Sequence, residues 1–252
     1  MIGTASAPCT RTWRLAAPSG LGWNFWSHGL HSMDKLSGIV LKNGERMRHW
    51  NALVEEWSLA HERFARLRPN DPAYWYGERP NIGVLSGAAW RCGLIAIEEF
   101  AMTKSASTID ESGAKSWRGR CDLWIGHDSY EEFIEAKHIS VEIDAVAHSR
   151  IRSALQEAIR DSVASYISGY CTALVFVSIR SQEKPSQIPE FSNRLQSLLD
   201  QLGGLDAEML AWCFPSQTRD LLGPAGKYYW PGIIMLSRSV QTSPPTSNLR
   251  NS

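Results

Sequence analysis

The sequence predicts an α/β (α+β) domain in which helices flank a central mixed sheet. Three observations carry that reading. Residues 45–67 repeat apolar side chains at helical spacing. Residues 118–139 read as a β-hairpin. Residues 171–180, "CTALVFVSIR", form an unbroken β-rich run of the kind found in a strand buried on both faces.

The elements follow in chain order. Residues 1–35 are rich in Gly, Ser, Pro and Trp without periodicity and read as a disordered extension, with Met33 an alternative start. In 45–67, Met47, Trp50, Val54, Trp57 and Phe64 recur at helical intervals and predict an amphipathic helix. "RPNDPAYWYGERPN" has three prolines and reads as a loop. A second helix is expected over Ile82–Met102. The polar stretch "KSASTIDESGAKSW" offers at most one weak strand. After the hairpin (118–126 and 131–139) a helix is expected over 144–167, with Ala147, Ile151, Leu155, Ala158 and Ser162 on one face. Beyond the 171–180 strand come a helix at 191–202 and strands at 208–214 and 228–237. The tail from Gln241 carries two prolines and reads as disordered. One domain over 36–240 is expected.

Composition excludes several classes. With 43% hydrophobic and 21% charged residues, the 252-residue chain can build a sizeable core. Its formal net charge is zero, so any basic surface must be local. Five scattered cysteines without a CxxC pair argue against a disulfide framework or zinc ribbon and suit a reducing cytosol. No apolar run is long enough to span a bilayer. P-loop, GxSxG, HExxH and GxGxxG patterns are lacking.

The hairpin "GRCDLWIGHDSYEEFIEAKH" carries charge where a plain hairpin would not. Side chains alternate across a strand, so Glu135 and Lys137 share a face with Phe133, while Ile134 and Ala136 take the other. On the partner strand, Asp122 and Trp124 share a face. Neighbouring carboxylates repel unless a cation compensates them, and Mg²⁺ prefers carboxylate oxygen. A lysine beside such an ion can orient or deprotonate its water, an arrangement suited to phosphodiester hydrolysis. An exposed hairpin with a solvated Glu–Lys pair is the plainer reading of an ExK triplet. The upstream Asp, the apolar flanks and the order of helices weigh against it.

"CDLWI", then "FIEAKH", with twelve residues between Asp122 and Glu135, resembles the PD-(D/E)xK, or restriction-endonuclease-like, nuclease superfamily. Cys121 stands where the naming proline would be. The resemblance spans about residues 82–180 and implies an αβββαβ core, although the first core strand has no clear counterpart. It implies a Mg²⁺-dependent (or Mn²⁺-dependent) nuclease acting on DNA rather than RNA. Asp122, Glu135 and the carbonyl of Ala136 would hold the metal, and Lys137 would position or activate water. A glutamate on the preceding helix would support them. Glu99 falls on that helix's small apolar stripe and is favoured, with Glu98 in reserve. Arg152, Gln156 and Arg160, along one helix edge, and Arg120 are candidate phosphate contacts. A homodimer is a further expectation, since such enzymes often cut both strands. The alternative is an inactive nucleic-acid-binding or scaffolding domain with the same fold.

Overall fold

A computed structural model describes residues 36–42, 47–105, 116–128, 130–143, 148–164, 169–188 and 190–242. One seven-stranded mixed sheet runs through them, with two helices on each face. In chain order the elements are β1 (Leu36–Leu41), α1 (Trp50–Leu67), α2 (Glu78–Arg91), β2 (Ile95–Ser105), β3 (Ser116–His127), β4 (Tyr130–Glu142), α3 (His148–Ala164), β5 (Gly169–Ser181), α4 (Phe191–Gly203), β6 (Met209–Phe214) and β7 (Tyr229–Thr242). The strand order is β1-β6-β7-β5-β4-β3-β2. Among the described strands only β4 and β5 pair in parallel, and α3 lies in that crossover.

β5 lies at the centre. Every residue from Cys171 to Ile179 is buried, because α3 and α4 cover one face and α1 and α2 the other. Ala173, Val175, Val177 and Ile179 join Ile151, Leu155, Leu195 and Leu199 in one core. Leu174 and Phe176 join Trp50, Trp57, Leu85 and Leu123 in the other.

Several expectations are corrected. Residues 82–102 are not one helix: α2 ends at Arg91, and 95–105 are strand β2. Gly93, at φ 79°, is the stop. A left-handed residue just past the last turn ends a helix by satisfying its final carbonyls, and the chain then leaves extended. The first helix begins at Trp50 after a turn at 47–49. β1 had no sequence counterpart; it fills the sheet edge by pairing with β6. Part of the "RPNDPAYWYGERPN" loop is the first turn of α2, with Gly77 (φ 105°) before it. Strand β7 continues to Thr242, past the start of the expected tail. The extension 1–35 and residues 243–252 lie outside the described residues.

Candidate active site

The strands part where the acids sit. β3 and β4 are paired from Leu123↔Ile134 to His127↔Tyr130, and the ladder stops before Asp122 and Glu135. β2 and β3 are paired on both sides of the Glu99/Asp122 level but not at it. Glu99 adopts φ 53° there, a left-handed conformation that side chains rarely take. The break also shifts the alternation of faces. Ile97 is the ladder partner of Trp124, so a residue three positions later should face the other way. Instead the Phe100 ring lies against Trp124 and Phe133.

Asp122 occupies the gap. Its Oδ2 accepts a hydrogen bond from the Ala136 N–H at 2.7 Å. Burial pushes its pKa up; the Ala136 N–H, Lys137 and Lys104 oppose that rise, and Glu99 adds to it. Glu135 is buried, with Oε1 2.8 Å from Lys104 Nζ. Lys104 reaches it by lying over Gly119, where a β-carbon would come within 2.8 Å of the lysine's Cγ and Cδ. Lys137 Nζ is 2.6 Å from Asp161 Oδ2 on α3. Burial alone would lower the Lys137 pKa, but Asp161, Glu78 and Asp122 raise it above the ordinary value. Lys137 is therefore held as a cation.

Glu78, in the first turn of α2, belongs to the same cluster. Burial raises its pKa first, and the fields of Asp122, Asp161 and Glu157 raise it further, against Lys137. Asp122 and Lys137 are thus brought together, and Glu135 pairs with Lys104, whose charge also acts on Asp122. Glu78, Lys104 and Asp161 join them without having been picked from sequence. Gly77 before "ERP" was the available signal for Glu78, since a glycine and an early proline mark a helix start. Lys104 opens a polar stretch that reads as at most one weak strand with no definable face, and Asp161 requires the orientation of α3.

The other candidates are placed differently from expectation. Glu99 is on β2 rather than a helix, and its carboxylate pairs with Arg79 (3.0 Å) and Arg120 (3.1 Å). Arg120 is accordingly engaged by Glu99. Glu98 is exposed and approaches Gly83 of α2. Arg152 and Gln156 line a groove with Leu155, Ile159, Leu205 and Asp206. Arg160 is exposed. The part of α3 nearest the acids supplies Asp161 and Glu157, not arginine. His138 contacts Ser178 Oγ at 2.8 Å, and the buried His61 has its pKa lowered to about 3 by desolvation. Burial pushes the Cys171 thiol up to about 12, so it is no nucleophile at neutral pH.

The carboxylate oxygens of Asp122 and Glu135 are the donor type a hard divalent cation takes, and the charge on Asp122 is disfavoured by burial unless compensated. Among the described residues no three His, Cys, Asp or Glu side chains stand together as a metal-holding group. A cation here would depend on two carboxylates, the backbone and water. Comparisons with protein-family models, curated proteins and solved structures return no match. The described fold is an α+β domain, and no described helix is long and apolar enough to cross a membrane.

Proposed function

We propose that this chain is a divalent-metal-dependent nuclease that hydrolyses phosphodiester bonds, in DNA before RNA. The observation that carries the proposal is the parting of β3 and β4 around Asp122 and Glu135, with Lys137 two residues on. The order α2-β2-β3-β4-α3-β5 and the parallel β4–β5 pair agree with the αβββαβ core that the "CDLWI…FIEAKH" resemblance implies.

Asp122, Glu135 and the Ala136 carbonyl would hold Mg²⁺ or Mn²⁺, which when bound supplies charge stabilisation at the phosphate and a more acidic water. Lys137, kept cationic by Asp161 and Glu78, orients the water and the phosphate by donating hydrogen bonds; it does not act as the base in this state. Glu78, in the first turn of α2, is the acid that the preceding helix contributes to the electrostatics of Asp122 and Lys137.

Purified protein should nick plasmid DNA with Mg²⁺ or Mn²⁺ and not with EDTA. Lys137→Ala and Glu135→Gln should each lower the rate at least about 100-fold, the scale of a lost catalytic group. Absence of cleavage on every DNA and RNA form, with either metal, would remove the reading.

A specific observation favours the second reading, a non-catalytic nucleic-acid-binding domain. Lys104 and Lys137 are already ion-paired with Glu135 and Asp161, so the protein balances part of the site's charge itself. That reading gains if nucleic acid binds with equal affinity in EDTA and no product forms.

A further inference from the structure

Beside the acids lies a group of aromatic rings that the hydrolytic chemistry does not use. Phe100 and Trp124 are stacked, with ring centroids 6.5 Å apart and planes 27° apart; Phe133 meets Phe100 edge-on at 6.3 Å. Trp124 lies flat on the sheet, because a β-carbon on Gly126 would come within 2.3 Å of its six-membered ring. Its indole N–H reaches Glu131 at 3.3 Å, which fixes the ring. Phe100 remains 37% exposed, and Trp124 and Phe133 are half-buried. α2 packs on β2 and β3 within the other core, while α3 packs on β4, β5 and β7.

Trp124 stands two residues beyond Asp122, and Phe133 two residues before Glu135, about 7 Å along each strand at its usual rise. That separation suits a nucleotide adjoining a phosphate held at the acids. Arg118, exposed, extends from the same strand as Trp124 and supplies positive charge for a phosphate backbone. In a duplex the bases are paired and stacked inside, and flat rings on a sheet have nothing to receive. An unpaired base has a free face, and stacking on an aromatic ring holds it regardless of sequence.

We infer that Phe100, Trp124 and Phe133 form a stacking platform for unpaired bases, so the chain engages single-stranded nucleic acid. The inference rests on the proposed nuclease reading for its polarity, with the phosphate at the acids and the base on the rings.

The test is fluorescence anisotropy of the full chain with labelled oligodeoxythymidine, alone or annealed to its complement, in EDTA so that nothing is cut. The single strand should bind more tightly than the duplex. Phe100→Ala and Trp124→Ala should each weaken single-strand binding about tenfold, the scale of one lost stacked base, and leave duplex binding unchanged. Trp124→Phe should restore most of the loss. Phe100 is exposed enough that its variant serves even if Trp124→Ala melts early by circular dichroism. Equal affinity for both forms, or variants that bind like wild type, would overturn the platform. So would variants that turn a dimer into a monomer in sedimentation without altering DNA binding, because the rings would then be a self-interface. The two proposals fail separately. Metal-dependent cleavage combined with single-strand binding that ring substitutions leave unchanged sinks the platform alone. Ring-dependent single-strand binding without cleavage in any metal sinks the nuclease alone.

Discussion

Asp122 shows how a functional residue works against the fold. Burial raises its pKa, so the native state binds its proton more tightly than the unfolded chain does. Its contribution to stability is therefore present at low pH and eroded as pH rises through the raised value. At neutral pH the charge is a cost. Asp122→Asn keeps an acceptor for the Ala136 N–H and removes that cost. It should raise stability by about 0.5–2 kcal/mol, a few degrees in melting temperature, while abolishing cleavage. A calorimetric scan in parallel with a plasmid assay checks both; a destabilised variant would show that the carboxylate serves the fold. Glu132 has the opposite sign. It is buried, and burial alone would raise its pKa, but His49 at 2.7 Å, Thr172 and Tyr130 hold it below the ordinary glutamate value of 4.5. Its stabilisation is full above 4.5 and lost as pH falls through the depressed value. Glu132→Gln should cost about 2–3 kcal/mol at neutral pH, the worth of charge-assisted bonds. Urea titrations across pH should show the gap from wild type closing below pH 4.5.

At the scale of elements, the break in β2 and β3 is what separates a plain hairpin from a site. Glu99 sits at φ 53° where regular pairing lapses, and the strain is local to the chemistry. Glycine adopts that conformation freely, so Glu99→Gly relieves the strain and loses two surface ion pairs worth little each. Its stability should stay within about 1 kcal/mol of wild type, whereas a β-branched Glu99→Ile should lose more, about 1–2 kcal/mol. Chemical denaturation of both variants decides the point; equal losses would mean the backbone conformation carries no strain. The expected helix over Ile82–Met102 failed for a related reason. Ile95 and Ala96 happened to continue the helical stripe of Leu85, Ala88 and Cys92. Gly93 between them was the stronger signal, because a left-handed residue there ends the helix whatever follows.

Across the whole molecule, β5 joins two parts of the sheet: β4-β3-β2, bearing the acids, and β7-β6-β1 on its other side. It is buried on both faces, so each core depends on it. Phe176 is fully buried among residues of α1 and α2. Phe176→Ala should cost about 3–5 kcal/mol. Denaturant unfolding should remain a single transition of unchanged slope, since the sheet is continuous; two transitions would show that the two parts unfold separately.

The sequence by itself determined the α+β class, the hairpin and the buried strand 171–180, and it singled out Asp122, Glu135 and Lys137 as the candidates. Those features are local: they follow from periodicity, turn residues and strand alternation within a short span. Only the tertiary structure decided that Glu78, Lys104 and Asp161 complete the cluster, that Glu99 faces Arg79 and Arg120, and that Arg152 and Gln156 line a separate groove. It also decided that Phe100 joins Trp124 and Phe133. The physical reason is that these arrangements depend on how α2, β2 and α3 meet the hairpin and on a backbone break that reverses the faces of a strand. Neither is encoded in the spacing of residues along the chain.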